Sequence, residues 1–450
     1  MVNLLFRSVK VNSITKPDPL SPREQRRNFT LGIINGAVFS VANIFIDNDM
    51  VVTWFLAQLS VSNFLIGLMG PMRMVLWYIP QIAVSSYMQR QPYKIPAYRA
   101  MAVVRVVMML VMSLAIALIP VHNSWLVGAI FAIFAIYSLA TSVGSLAFMS
   151  MLDKVIPPTR RGRFFGKRMF LGGIINLGAS ALVGFLLEVP AGLRFPLNIS
   201  IIFIIAAVAM AISLGIWCFL TEPPDDTVTE QRVSWLEQFR RGFDLLKANS
   251  TYRTYLATRM CIVLAQIALP FYVVYAKDVL GIPARMISLY LTARTGASIL
   301  SNLFWGRIAD QQGNRKLIRI TSVIALMMPL AALGTGALGR ALPGVVPALS
   351  YVFTIVFIAQ GAFRNGGGIA YINYLLDLAP SSQKPLYLGF TNTLMGVGMF
   401  TTALGGLIVD WAGFDTVMLI AAALYALAIG MSLLMSEPRQ HALAESANVS

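Results

Sequence analysis

Residues 197–220 read LNISIIFIIAAVAMAISLGIWCFL and contain no charged side chain. Because a helix rises about 1.5 Å per residue, about 20 apolar residues are enough to cross the roughly 30 Å hydrocarbon core of a bilayer. This stretch therefore predicts a membrane-spanning helix. The same criterion, applied outward along the chain, predicts twelve spans, at residues 29–50, 61–88, 98–120, 124–151, 167–188, 197–220, 253–276, 285–307, 316–338, 347–376, 386–409 and 414–435.

The composition also indicates a membrane protein. Of the 450 residues, 57% are hydrophobic and 12% are charged, whereas soluble globular domains carry about 25% charged residues. Such a low density of charge cannot cover a water-exposed surface, so we exclude a water-soluble enzyme and predict an all-α integral membrane protein. The net charge of +16 would suggest a nucleic-acid partner in a soluble chain, and its meaning here depends on where the charges lie.

The basic residues indicate an orientation. Short loops rich in Lys and Arg stay on the cytoplasmic side of a membrane. If both tails and the even-numbered connections are cytoplasmic, 26 of the 35 basic residues lie on that side and four lie opposite. We therefore predict a multi-pass protein of a plasma or bacterial inner membrane, with both termini cytoplasmic, lipid around it and no nucleic-acid partner.

One long polar connection, residues 221–252, divides the chain into two halves. The predicted domains are a cytoplasmic tail (1–28), a first six-helix bundle (29–220), a cytoplasmic linker (221–252), a second six-helix bundle (253–436) and a C-terminal tail (437–450). Within the linker, Trp235, Phe239 and Phe243 recur at helical spacing, opposite Arg240 and Arg241. This pattern predicts an amphipathic helix at the membrane surface, with a solvated linker helix as the alternative.

The two halves carry related residues at one offset. Three sets of residues recur about 221 to 224 positions apart: Arg73, Trp77 and Gln81 with Arg294, Ser298 and Asn302; Gly184 with Gly406; and Asp153 with Asp377. In the first set, the three residues of each half are spaced i, i+4, i+8 along a helix. The simplest explanation is a duplicated six-helix unit. Such repeats place a substrate site between the halves near the bilayer midplane.

The connection between spans 8 and 9 reads Gly306-Arg-Ile-Ala-Asp310-Gln-Gln-Gly313-Asn-Arg315-Lys316. It resembles the cytoplasmic G-x-x-x-D-x-x-G-x-R-K loop of the major facilitator superfamily, and the resemblance extends over essentially the whole chain. It implies twelve helices in two pseudo-symmetric six-helix bundles. It also implies that Gly306, Asp310, Gly313 and Arg315 act in gating, by latching the two halves. The equivalent loop of the first half, residues 85–94, lacks both the Asp and the Gly.

Five arginines fall inside the predicted spans, where an uncompensated charge is costly and marks a functional site by default. Arg73 and Arg294 lie near the midplane, so they are predicted either to clamp an anionic group or to act as structural pins within their own halves. Arg105 and Arg259 lie only about seven residues inside their spans, and we expect them to snorkel to the interface. The other predicted substrate-binding residues are Trp77, Gln81, Gln266, Asn302, Gln360, Arg364 and Asn392.

Asp47 and Asp49 are the two acids inside the predicted spans and are the candidates for ion coupling. On a continuous helix they point about 200° apart, so they cannot share a face. Gly36, Ser40 and Asn43 precede Asp47 on one polar face, which makes Asp47 the preferred protonatable group. Its position close to the end of the span leaves two alternatives open, an outer-gate residue or a partner for Arg73.

The predicted function is a secondary active transporter that moves a small organic solute, preferably anionic or polar, by alternating access coupled to protons. The alternative is a proton-coupled multidrug or cation efflux pump. A membrane-embedded enzyme is less favoured, because His and inward-facing acids are scarce. A receptor is less favoured, because it usually adds a signalling domain and neither tail is long enough for one. With two Cys, two His and no nucleotide motif, we expect no metal site and no cofactor. We also expect a monomer that binds its solute and protons.

Overall fold

The computed structural model describes residues 20–89, 91–188, 195–224, 235–380 and 383–437. Every regular element in these ranges is helical. The predicted tails therefore lie largely outside the described residues, as does part of the linker. The α-helices, in chain order, are α1 (Pro22–Phe45), α2 (Thr53–Gln58), α3 (Asn63–Gln89), α4 (Ile95–Leu118), α5 (Ser124–Val155), α6 (Pro158–Leu187), α7 (Leu197–Cys218), α8 (Trp235–Ala248), α9 (Ser250–Ala265), α10 (Phe271–Asp278), α11 (Met286–Gln312), α12 (Asn314–Ala341), α13 (Val346–Val352), α14 (Thr354–Leu378), α15 (Lys384–Gly398), α16 (Thr401–Ala412) and α17 (Phe414–Leu433).

Ten helical segments among the described residues are long and apolar enough to cross a membrane. Helices α3 and α11, which correspond to predicted spans 2 and 8, are not among the ten. Both have 27 residues and are therefore about 40 Å long, so their length is sufficient. They are also the helices that carry Arg73 and Arg294, and polar residues of this kind lower the apolar character of a span.

Local chemistry explains several helix ends. At the start of α1, the Ser21 hydroxyl accepts a hydrogen bond from the Glu24 backbone N–H (3.3 Å), and the Glu24 carboxylate accepts one from the Ser21 backbone N–H (2.9 Å). This reciprocal capping box satisfies two of the N–H groups that a helix start leaves unpaired. At the other end of two helices, Gly313 and Gly413 adopt φ of 86° and 83°, a backbone conformation that glycine reaches without steric penalty.

The first predicted span is not one continuous helix, and the predicted end at residue 50 is wrong. Helix α1 ends at Phe45, a π-helical turn covers Asn48–Val52, and α2 continues to Gln58. The hydroxyl of Thr53 donates to the carbonyl of Asn48 across this turn (2.8 Å). The interruption falls at Asp47-Asn48-Asp49, and such side chains compete with the helical backbone for hydrogen bonds.

The chain divides into two compact units. Unit 1 comprises Met1–Asp47 and Met72–Gln231, and unit 2 comprises Asn48–Pro71 and Arg232–Ser450. The segment Asn48–Pro71, which the sequence analysis places in the first bundle, therefore groups with the second half. Within unit 2, the Asp410 carboxylate accepts a hydrogen bond from the Asn63 side chain (2.7 Å) and the Thr402 hydroxyl donates to the carbonyl of Gly67 (2.8 Å).

The two units have similar internal packing. In unit 1, α7 packs against α1 and α4, and α4 also packs against α5. In unit 2, α17 packs against α9 and α12, and α12 also packs against α14. Counted by predicted span, each pair in unit 2 is the pair in unit 1 shifted by six. This pattern is what a duplicated unit produces.

Helix α8 lies where the amphipathic linker helix is predicted. The ring of Phe243 meets that of Phe390 edge to face, with centroids 5.2 Å apart, and Gly242 lies so close to Phe390 that a methyl group there would clash. One face of the helix is therefore in contact with α15 rather than with lipid alone. The side chains of Trp235 and Phe239 lie outside the described part of the chain.

Candidate functional site

The interrupted first span brings an acid to two arginines within unit 2. One carboxylate oxygen of Asp49, Oδ2, lies 3.6 Å from Nη1 of Arg364 and 4.0 Å from Nη1 of Arg294. Arg294 is buried, Asp49 is partly buried, and the Arg364 side chain is 67% exposed. We call these three residues the Asp49 cluster. It joins two predicted substrate-binding arginines to one predicted ion-coupling acid.

Close packing of α11 against α14 holds the two arginines. Gly361 on α14 faces the Arg294 backbone, and a methyl group at that glycine would lie 2.1 Å from the Arg294 carbonyl oxygen. The indole N–H of Trp305 donates to the carbonyl of Ala362 (3.1 Å). The Asn365 amide donates to the Ser298 hydroxyl and to its carbonyl oxygen. These contacts fix the backbones that carry the guanidinium groups, so the site lies on rigid elements.

Buried polar atoms without a described partner occur on the same helices. Gln360 lies one turn before Arg364 and is buried, and its Oε1 has no hydrogen-bond partner among the described residues. The same holds for Oδ1 of Asn302 on α11 and for the hydroxyl of Tyr371 on α14. Buried polar atoms are normally hydrogen-bonded, and exceptions mark positions where water or a ligand can supply the missing hydrogen bond.

Arg73 lies in unit 1 and packs on aromatic rings. Its guanidinium carbon is 4.8 Å from the ring centroid of Phe134 and 5.9 Å from that of Tyr137, which is within the range of cation–π attraction. Trp77, one turn further on α3, meets Tyr78 edge to face. The third member of the predicted triplet, Gln81, has a side chain outside the described part of the structure.

Both arginines expected to snorkel lie beside aromatic rings. Arg105 is only 4% exposed, and its guanidinium lies over the rings of Phe39 (5.1 Å) and Tyr137 (5.5 Å). Arg259 donates to the Tyr255 hydroxyl (2.7 Å) and lies over the ring of Tyr371. Distance from the end of a span gives depth but not direction, and the rings of Phe39 and Tyr137 gave Arg105 a buried position.

The other predicted residues are dispersed. Asp47 follows the end of α1, Gln266 begins a 3₁₀ turn after α9, and Asn392 is exposed on α15. The predicted polar face of α1 does not reach Asp47 as a helix, because the helix ends before it. Among the described residues, no group of three or more His, Cys, Asp or Glu is arranged to hold a metal ion.

The predicted gating loop of unit 2 is held by Glu437 and Asp377, to which the sequence patterns gave no gating role. The Glu437 carboxylate accepts a hydrogen bond from the backbone N–H of Arg315 (3.0 Å), and that of Asp377 accepts one from the Asn314 side chain (2.7 Å). Gly313 is in close contact with the Glu437 carboxylate. Gly306 lies within α11, and Asp310 is exposed near the end of that helix.

Unit 1 has a corresponding acid. The buried Glu222 carboxylate accepts hydrogen bonds from the backbone N–H groups of Lys94 and Ile95, both 2.8 Å, and forms an ion pair with Lys154 at 2.8 Å. It therefore caps the start of α4 as Glu437 caps the start of α12. The signal was present in the sequence, since Glu222-Pro223 and Glu437-Pro438 each follow the last span of a half.

Comparisons with known proteins bear on this arrangement. The profile of the Major Facilitator Superfamily matches residues 29–331 and 254–449. No curated protein matches the sequence.

The chain also resembles solved structures. The nucleoside transporter NupG superposes with a TM-score of 0.61 at 15% identity over 92% of this chain and 98% of that one. A bacterial homologue of the iron transporter ferroportin in an inward-facing state gives 0.66 at 13% identity over 92% and 99%. A D-xylose-proton symporter gives 0.61 at 14% identity over 92% and 98%. At such identities the likeness concerns the fold alone, but the profile covers both halves, and the chain belongs to the major facilitator superfamily, a family of membrane transporters.

Proposed function

We propose that this protein is a proton-coupled secondary transporter that moves a small anionic or polar organic solute by alternating access. The observation that carries the proposal is the Asp49 cluster, a single carboxylate within 4.0 Å of two guanidinium groups on the packed helices α11 and α14. The family assignment supports transport. The charges of the cluster support the solute class and the coupling.

The charge balance of the cluster favours an anionic solute. The three residues of the Asp49 cluster comprise one carboxylate and two guanidinium groups. Charge-assisted N–H to O bonds are usually about 2.7 to 2.9 Å long, and the two distances here exceed that range. The carboxylate therefore does not form a tight bidentate pair with either arginine. An acid group of a solute can enter with two cations to receive it, and the nearby Gln360 amide supplies a polar contact.

Proton coupling follows from the same three charges. Protonation of Asp49 would remove the only negative charge of the cluster and leave two cations, so it would increase the affinity for an anion. Binding of the anion and of the proton would then favour each other, because such a coupling free energy is reciprocal. This logic favours Asp49 over Asp47 as the coupling acid. A symporter of the same fold is the D-xylose-proton symporter.

The alternative remains a proton-coupled multidrug or cation efflux pump. A cation site needs excess negative charge, and the Asp49 cluster has excess positive charge. A solute screen separates the two candidates.

We also propose twelve spans in two halves divided near residues 221–252, with both termini cytoplasmic in a plasma or bacterial inner membrane, and a monomeric protein. The distribution of Lys and Arg and the repeated helix pairs support this arrangement.

The proposed function is tested in reconstituted vesicles with an imposed pH gradient. Anionic, sugar-like and cationic solutes are screened for uphill transport, and we expect an anionic or polar solute to accumulate. Asp49→Asn should abolish accumulation driven by the pH gradient while exchange of labelled solute continues. The matched control is Asp47→Asn, which should retain uphill transport. Accumulation of cations alone, or pH-driven transport by Asp49→Asn equal to that of wild type, would contradict the proposal.

The arginines of the cluster have their own test. Arg294→Gln and Arg364→Gln should each weaken solute binding by about 10- to 100-fold, because a hydrogen bond to a charged group contributes about 1.5 to 3 kcal/mol. Arg285→Gln, an exposed arginine at the start of α11, is the control. Equilibrium binding of labelled solute to the purified protein is the measurement. Unchanged affinity in both cluster variants would rule out an arginine-bound solute.

A further inference from the structure

Unit 1 contains two arginines whose charge is not balanced by any acid among the described residues. Arg105 on α4 is buried, and Arg168 on α6 is partly buried. No described acidic side chain lies within ion-pair distance of either one. A buried cation without a counter-charge is strongly unfavourable, and the structure must therefore compensate these charges in another way.

The hydrogen bonds that the protein supplies to these groups are few. A guanidinium has five N–H donors. Arg105 donates one long bond of 3.5 Å to the Tyr137 hydroxyl, and its Nε has no partner among the described residues. Arg168 lies over the ring of Phe148 at 4.8 Å, and its buried Nη1 likewise has no described partner. Cation–π contacts offset only part of the desolvation of a cation.

Two neighbouring helices place the guanidinium groups side by side. On α1, Gly36 is in contact with Arg168 and Phe39 lies under Arg105, so the two contact points are three residues apart. On α5, Gly144 approaches Nη1 of Arg105 and Phe148 lies under Arg168, four residues apart. Residues at these spacings lie on one face of a helix, about 5 to 6 Å from each other. The two cations therefore lie next to one another.

The two arginines have the same position along their own helices. Each arginine lies about ten residues after the first residue of its helix, Ile95 for α4 and Pro158 for α6. Ten residues correspond to about 15 Å along the axis. Two adjacent cations with unused N–H groups form a place where a counter-anion is needed.

We propose that Arg105 and Arg168 together bind a small oxyanion, such as a carboxylate, phosphate or sulfate, inside unit 1. The anion supplies the missing negative charge and accepts hydrogen bonds from Nε of Arg105 and Nη1 of Arg168. The Tyr137 hydroxyl borders the site. This site is separate from the Asp49 cluster and does not depend on the proposed transport reaction.

The test measures binding of inorganic phosphate, and of acetate as a second probe, to the purified full-length protein by titration calorimetry. Wild type should bind phosphate saturably at one site per chain. Arg105→Gln and Arg168→Gln should each weaken that binding at least about tenfold. Arg99→Gln is the matched control, because Arg99 lies on the same helix, is exposed and donates to the carbonyl of Cys218.

Two further variants keep the test valid if a glutamine variant fails to fold. Arg168→Lys retains the charge but loses the planar donor set, and Gly36→Ala displaces Arg168, since a methyl group there would overlap its side chain. Both should weaken phosphate binding relative to Arg99→Gln. The proposal is overturned if wild type binds neither probe saturably, or if all four variants bind as wild type does.

Competition identifies the natural occupant. Displacement of phosphate by a transported anion would assign the site to the solute, whereas phosphate that remains bound beside the solute would assign it to a resident anion. Either result supports the site, provided that binding needs Arg105 and Arg168.

Discussion

At the scale of single residues, what matters most is whether a charge has a partner. Asp49 has Arg294 and Arg364 within 4.0 Å, and Glu222 has two backbone N–H groups and Lys154. A buried carboxylate with several donors stabilises the fold, whereas loss of that carboxylate leaves its partners unsatisfied. The loss of a carboxylate from a buried ion pair should therefore lower the free energy of unfolding more than the loss of one from an exposed pair.

Glu222 and Asp153 offer a matched comparison. The side chain of Glu222 is 1% exposed and that of its partner Lys154 is 10% exposed. Glu222→Gln removes the negative charge of this buried ion pair, so we expect a loss of about 3 kcal/mol in the free energy of unfolding. Asp153→Asn breaks the exposed pair with Arg161 and should cost less than about 1 kcal/mol. Thermal unfolding in detergent measures both, and equal effects would contradict this account.

At the scale of helices, close approach of backbones determines where the site residues lie. Arg294 and Arg364 lie on different helices, and they come together because Gly361 lets α14 pack directly on the α11 backbone. The π-helical turn at Asn48–Val52 is equally important, since a continuous α1 would carry Asp49 in another direction. Both features are local departures from ideal helix surfaces, and both are used to build the Asp49 cluster.

Two glycines of α14 test this packing. Gly361→Ala places a methyl group 2.1 Å from the Arg294 carbonyl oxygen, so we expect destabilisation of about 2 kcal/mol or more and weaker solute binding. Gly368 has no neighbour within 4 Å of the corresponding position, and Gly368→Ala should stabilise the protein by about 0.5 to 1 kcal/mol, because alanine is the better helix former. Melting temperatures that shift in the same direction for both variants would refute the proposed contact.

At the scale of the whole molecule, the prediction concerns orientation. The excess of Lys and Arg on one side predicts cytoplasmic termini and linker. In a protein whose Cys218 and Cys261 are replaced by Ala, His122→Cys should react with an impermeant maleimide added to intact cells, because the α4–α5 connection is predicted to face outward. Arg240→Cys, on α8, should react only after lysis. The reverse pattern would show that the assignment of sides is wrong.

Much of the fold could be predicted because bilayer spans and loop charges are local properties. Apolar runs of sufficient length must form helices in lipid, where each backbone group needs an internal partner, and the gating loop and the repeat can be seen as residue spacing. The same local reasoning found Asp49, Arg294 and Arg364 as candidates. It could not join them, because contacts between helices depend on rotation and approach, which hydrophobicity does not encode.

The sequence by itself determined the class of protein, the family resemblance and the set of charged residues inside the spans. Only the tertiary structure brought Asp49 within 4.0 Å of Arg294 and Arg364, because the helix is interrupted between Phe45 and Asn48. It also decided that Arg105 points inward, because Phe39 and Tyr137 lie where its guanidinium can rest on them. In each case the physical reason is that the direction of a side chain is set by packing between helices, and not by its position along one of them.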